Sequence, residues 1–223
     1  MSSSPTPRAV LFDFDGVIAD TENVHIASWE RTFAAMGLEV TPEQCARAVE
    51  IDDRDFLAEI LESKRIEGGA IDGWVGRKQA LAAAMLRDEP RLYAGVAPLV
   101  RGLAGEARLA VVSSARRADV EVVLDAGGIT EAFSVIVAKE DVSATKPNPE
   151  PYRTALERLG ISAAEAVALE DSAAGLASAR SAGIRCVAVG HRHPRGVWVG
   201  DSPFLDDLTD ERATRKALGF DAP

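Results

Sequence analysis

Ala9-Val10-Leu11-Phe12-Asp13-Phe14-Asp15-Gly16-Val17 runs from an unbroken apolar tetrad into a turn that carries two aspartates and a glycine. A short apolar run without polar alternation suits a strand buried on both faces, as in a parallel sheet. Working outward, Leu109-Ala110-Val111-Val112, Val135-Ile136-Val137, Val167-Ala168-Leu169 and Cys186-Val187-Ala188-Val189 read the same way. Helical stretches fill the intervals at about 118–126, 150–159 and 173–182, followed by Gly127-Gly128, Gly160 and Gly183, where helices commonly stop in a left-handed residue. Strand–helix–strand repetition predicts an α/β fold: a doubly wound, Rossmann-like parallel sheet with right-handed crossovers.

One interval breaks the rhythm. Between the first strand and the second, residues 22–87 offer no convincing strand, only amphipathic stretches near 22–36, 42–49, 55–64 and 73–86. Roughly 65 helical residues are too many for a crossover and predict an inserted α-helical cap domain. The expected organisation is a flexible tail at 1–7, a catalytic core at 8–18 and 92–223, and the helical cap at 19–91.

Composition narrows the function classes. Of 223 residues, 47% are hydrophobic and 27% charged, as in ordinary globular chains. Lys and Arg number 25 against 35 Asp and Glu, a net charge of −10 that argues against a nucleic-acid binder or an anionic-membrane binder. Cys45 and Cys186 are too far apart in sequence to read as a disulfide framework and are expected to be buried apolar groups in a reducing compartment. No apolar run reaches the ~18 residues of a membrane span, and Met1-Ser2-Ser3-Ser4-Pro5-Thr6-Pro7 lacks the apolar stretch of a signal peptide. The expectation is a cytoplasmic, soluble protein.

Acids collect where the strands end: Asp13 and Asp15 after the first, Glu170 and Asp171 after the fourth. Open α/β sheets bind ligands at the carboxyl ends of their strands, so both pairs are expected to meet in one crevice. Converging carboxylates repel unless a cation joins them, and an oxygen-only set favours Mg²⁺. Ser113-Ser114 after the second strand and Thr145-Lys146-Pro147 after the third add hydroxyls, backbone N–H groups and an ammonium, which suit a phosphoryl group. A carboxylate nucleophile and an aspartyl-phosphate intermediate follow as a plausible chemistry.

Asp13-Phe14-Asp15-Gly16-Val17, Ser113, Lys146-Pro147-Asn148-Pro149 and Glu170-Asp171-Ser172-Ala173-Ala174-Gly175 resemble the four ordered motifs of the haloacid dehalogenase superfamily. The resemblance covers nearly the whole chain, because the helical insert is similar to the cap found after the first motif in one subgroup. Dehalogenase members lack the second aspartate and need no metal, so Asp15, Glu170 and Asp171 imply phosphoryl transfer. The resemblance further implies Asp13 as nucleophile and Asp15 as the acid and then the base. It implies Mg²⁺ on Asp13, the Asp15 backbone carbonyl, Asp171 and Glu170. Ser113 and Lys146 would hold the phosphoryl oxygens, aided by the Ser114 backbone.

A finer resemblance, to β-phosphoglucomutase and its sugar-phosphatase relatives, rests on Asp20-Thr21-Glu22-Asn23-Val24-His25 and Trp29. It implies that His25 touches Asp15, that Lys78 (read with Arg77 as opening the last cap helix) reaches a sugar phosphate, and that Arg116 stands for a substrate-binding lysine. Two distal-phosphate ligands of that mutase are replaced here by Asp53 and Ala115, with Arg54 one place away as a substitute. The expected function is therefore a Mg²⁺-dependent phosphatase of a small phosphorylated metabolite, a sugar phosphate in particular. A sugar phosphomutase and a catalytically idle Mg²⁺- or phosphate-binding regulator are the alternatives; a nicotinamide enzyme is excluded because no G-x-G-x-x-G follows the first strand.

Other groups read as structural. His191-x-His193 is expected in a solvated loop, Trp29, Trp74 and Trp198 as packing groups, Asp52-Asp53 and Asp55 as a helix start, and Asp206-Asp207 as a surface turn.

Overall fold

The computed structural model describes residues 6–49, 51–66 and 69–220; Met1–Pro5, most of the expected tail, lie outside the described residues. Pro7 does not behave as tail: it is buried, and Arg8 beside it donates its N–H to the Glu165 carbonyl at 2.7 Å. Six strands are described: β1 (Ala9–Phe12), β2 (Arg108–Val112), β3 (Phe133–Val137), β4 (Ala166–Glu170), β5 (Arg185–Val189) and β6 (Phe204–Leu205). All pair in parallel, in the order β3-β2-β1-β4-β5-β6. The order reverses between β1 and β4, the switch point at which such sheets open a crevice.

Every residue of β1 and of β4 is buried, so the apolar runs have two covered faces to satisfy. Helices α7 (Glu150–Leu159) and α8 (Ala173–Ser181) contribute Tyr152, Ala155, Leu156, Leu176 and Ala179 to one core, with Leu11, Ala110, Val112 and Ala168 from the sheet. Each fully buried Leu or Val side chain there contributes about 1.5–3 kcal/mol relative to exposure.

Contacts divide the chain into two compact units, Met1–Asp20 with Pro90–Pro223, and Thr21–Glu89. Asp20 joins the sheet unit by donating its N–H to the Arg91 carbonyl at 3.0 Å. The second unit is helical: α1 (Glu22–Met36), α2 (Pro42–Ala46), α3 (Asp53–Ser63) and α4 (Ile71–Asp88). Its own core holds Trp29 stacked on Phe33 with centroids 5.1 Å apart, Phe56 edge-on to Trp29 at 5.3 Å, and Leu57, Ile60 and Cys45.

Three elements escape the sequence reading. Helix α5 (Val96–Leu103) contains Pro98 and Gly102, and helix α9 (Glu211–Leu218) shows few apolar residues, although Asp210 caps it by accepting from the Ala213 N–H at 2.9 Å. Strand β6 spans two residues, too short for a periodicity. Among the described residues, no helix is long and apolar enough to cross a membrane.

Candidate active site

Asp13 follows the last residue of β1, and its backbone N–H donates to the Leu169 carbonyl at 3.0 Å, extending the β1–β4 pairing by one step. That step sets the Asp13 side chain beside Glu170 at the end of β4. Lys146, arriving from the loop after β3, donates to Asp13 Oδ1 at 2.5 Å and to Glu170 Oε1 at 2.7 Å. The Phe14 N–H also donates to Asp13 Oδ1, at 2.7 Å. One ammonium thus bridges two strand ends that lie 157 positions apart in the chain (170 minus 13).

Asp13, Glu170 and Asp171 offer oxygens that lie within 4.8 Å of one another, and all three residues are buried. Burial pushes the Glu170 and Asp171 carboxyls up, and the neighbouring Asp13 charge adds to it, while Lys146 and Arg192 respectively pull back. Burial alone would lower the Lys146 ammonium, but Asp13 and Glu170 outweigh it and hold Lys146 above its ordinary range. Asp171 Oδ2 is buried with no hydrogen-bond partner among the described residues. An orphaned carboxylate oxygen beside two further carboxylates is a donor set that fits a hard divalent cation.

Two glycines make room for this crowding. Gly16, at φ +87°, stands where a Cβ would lie 1.8 Å from Asp171 Oδ2, and at Gly175 a Cβ would lie 1.8 Å from Glu170 Oε2. Any larger residue would push an acid out of the cluster. Ser172 caps α8 by accepting from the Gly175 N–H at 3.0 Å, which fixes the turn between the acids and the helix.

Ser113 is buried after β2, its N–H donating to the Val137 carbonyl at 2.9 Å and its Oγ accepting from the Ala115 N–H at 2.9 Å, whereas Ser114 is exposed. Asp15 is half-buried in the turn, where it bridges to Ala19. Arg116 is engaged by its own helix, α6 (Arg117–Ala126), through a two-oxygen ion pair with buried Asp119 at 2.7 and 2.9 Å.

In the helical unit, Lys78 donates to Asp53 Oδ1 at 2.7 Å and lies 3.0 Å from His25 Nδ1. An ammonium can only donate, so Nδ1 accepts from it. Lys78 sits in the middle of α4, not at its start, because the helix begins at Ile71. Asp53 is more than a helix start: the Trp29 indole N–H and the Gln79 amide also donate to it, at 3.0 and 3.1 Å. Burial opposes the Asp53 charge, but Lys78 and these donors hold its carboxyl below the usual range. Arg54 turns instead to Asp72 at 2.7 Å on the surface.

Sequence reasoning missed Tyr152, whose hydroxyl donates to Glu170 Oε1 at 2.6 Å under the Lys146 ammonium. Its place on the apolar stripe of α7 signals core and gives no hint that the hydroxyl reaches the acids. The expected solvation of His191 is also corrected. Its ring stacks on Tyr93 with centroids 4.0 Å apart, and Nδ1 lies 3.2 Å from the Gly16 carbonyl. Burial pushes the imidazole pKa down, against the pull of that carbonyl.

Comparison with known proteins follows the same lines. Residues 10–189 match the family described as haloacid dehalogenase-like hydrolase. The chain is 30% identical over 198 residues to the β-phosphoglucomutase of Bacillus subtilis, covering 84% of this chain and 85% of that one. It is 29% identical over 208 residues to the validoxylamine A 7'-phosphate phosphatase of Streptomyces hygroscopicus subsp. limoneus, covering 92% and 96%. The crystal structure of a CbbY point mutant from Rhodobacter sphaeroides in complex with xylulose-(1,5)bisphosphate superposes with a TM-score of 0.75 at 30% identity, covering 92% of this chain and 96% of that one.

Proposed function

This chain is a member of the haloacid dehalogenase-like hydrolase family, and on that premise we propose that it is a Mg²⁺-dependent phosphatase of a small phosphorylated sugar. The reading rests chiefly on one observation: Lys146 is shared between Asp13 and Glu170 at 2.5 and 2.7 Å, beside a third carboxylate. Lys146 and the Phe14 N–H both converge on Asp13 Oδ1 and fix its rotamer, so we assign the attack on phosphorus to Oδ2. The new bond joins that oxygen to phosphorus as the ester P–O bond breaks, and Asp15 gives its proton to the leaving sugar oxygen. Water then attacks the phosphorus of the aspartyl phosphate while Asp15 takes the proton back, releasing inorganic phosphate and restoring Asp13. Ser113, the Ser114 backbone and Lys146 are assigned to the phosphoryl oxygens, and Arg116, His25 and Lys78 to the rest of the substrate. Mg²⁺, held by Asp13, Asp171, Glu170 and the Asp15 carbonyl, would offset the negative charge that gathers as phosphoryl oxygens approach these acids.

The likeness to a β-phosphoglucomutase favours a second reading, transfer of the phosphoryl group to another hydroxyl of the sugar. Against it, Asp53 offsets the charge of Lys78 at 2.7 Å and Arg54 pairs with Asp72 at 2.7 Å, which weakens both as ligands for a second phosphate dianion while leaving Lys78 able to donate to a sugar hydroxyl. Incubation with β-glucose 1-phosphate and a catalytic bisphosphate distinguishes the two readings. We expect inorganic phosphate, if anything, and little glucose 6-phosphate; glucose 6-phosphate forming many-fold faster than phosphate would overturn the phosphatase.

A further inference from the structure

The charges around the acid cluster are not evenly covered. Lys146 serves Asp13 and Glu170 directly, and at Asp171 a second cation arrives: Arg192, whose Nη1 lies 3.5 Å from Oδ2. That oxygen is the orphaned one, buried and without a hydrogen bond. Arg192 comes from the loop after β5, and the loop is pinned there by its neighbour His191, stacked on Tyr93 and set against the Gly16 carbonyl. Gly16 lies beneath both partners: a Cβ on it would come within 1.8 Å of Asp171 Oδ2 and 2.7 Å of Arg192 Cδ. The space left by Gly16 thus lets the Arg192 side chain approach Asp171 Oδ2.

We propose that Arg192 is a positioning residue for Asp171 and a tethered competitor of the divalent cation there, setting the Mg²⁺ concentration at which the site loads. The inference rests on the cation reading above. Asp171 would have to share its carboxylate between a divalent ion and the positive Arg192 guanidinium 3.5 Å from Oδ2, and like charges in a partly buried place repel strongly. Loading thus requires the guanidinium to withdraw from Asp171, and Arg192, with 23% of its side chain exposed, has an open side to withdraw toward. Without the charge the carboxylate would bind the ion more tightly but would be less well oriented.

Calorimetric titration of MgCl₂ into the full chain, without substrate, tests this for the natural protein, Arg192→Gln and Arg192→Lys. Arg192→Gln is expected to bind Mg²⁺ roughly tenfold more tightly, with a correspondingly larger rise in Tm at fixed low Mg²⁺. Arg192→Lys keeps the charge and is expected to stay close to the natural affinity. Equal or weaker binding by Arg192→Gln would overturn the competition while leaving the cation reading standing, as would an Arg192→Lys affinity equal to that of Arg192→Gln. Absence of Mg²⁺ binding by every variant would overturn both.

Discussion

Gly175 lies so close to Glu170 that a methyl group in place of its hydrogen would sit 1.8 Å from Oε2 and 2.0 Å from the carboxyl carbon. Those atoms cannot give way easily, because the same carboxylate is held at its other oxygen by Lys146 at 2.7 Å and Tyr152 at 2.6 Å. Gly175→Ala should therefore cost about 1–3 kcal/mol of stability as an overpacked site. The displaced Glu170 should also raise the Mg²⁺ needed for half-maximal activity. Urea midpoints and a Mg²⁺ activation curve check both; an unshifted midpoint would mean that the helix start can move aside.

Removing the Tyr152 hydroxyl leaves a fully buried carboxylate with one donor fewer. Tyr152→Phe keeps the ring that packs in the sheet core and should lose about 1–3 kcal/mol, the cost of an unsatisfied buried acceptor next to a charge. Its turnover should fall less than that of a variant at Asp13, since Tyr152 is not assigned to the reacting atoms. Denaturant melts compared with initial rates separate the two effects.

Asp13→Asn nearly preserves size but removes the anionic oxygen that attacks phosphorus. Turnover should drop on the order of a thousand-fold or more, while circular dichroism and Tm stay close to those of the natural protein. Full phosphate release by this variant would take Asp13 out of the nucleophile's role.

Chelation should stop turnover, and added Mg²⁺ should restore it. Ca²⁺ should restore it poorly, since its longer, looser coordination would misplace Asp13 against phosphorus. Undiminished phosphate release in excess EDTA would sink the metal assignment.

With the metal removed, stability should also respond to pH in a defined direction. Burial, chiefly, holds the folded Glu170 and Asp171 carboxyls above their unfolded values near 4. The folded state therefore binds more protons than the unfolded chain between about pH 4 and the neutral range, and the stabilisation lapses as pH rises through that window. In EDTA, Tm should fall from pH 5 to pH 8, and excess Mg²⁺ should flatten the slope by favouring the ionised carboxylates. A Tm rising over the same range in EDTA would contradict the charge balance described.

The sequence alone determined the α/β class, five of the six strands and the chain positions of the acids and Lys146, because buried parallel strands write themselves as unbroken apolar runs and their ends as changes of residue type. Asp13, Glu170, Asp171 and Lys146 are legible as candidates in the sequence, since two pairs of acids and a lysine fall just past apolar runs that read as buried strands. What the tertiary structure decided are the relationships that carry no period. Only the folded chain shows that Tyr152 reaches Glu170, that Arg192 faces Asp171 with His191 pinning its loop, and that Asp53 engages Lys78. These depend on side chains from distant segments arriving at one place, and the apolar stripe, loop or helix start in which each residue sits reads the same whether or not its polar end finds a partner. Helix α9 is not legible in the sequence for a related reason: its few apolar positions give no clear stripe, and the packing of the folded chain around it is what makes it a helix.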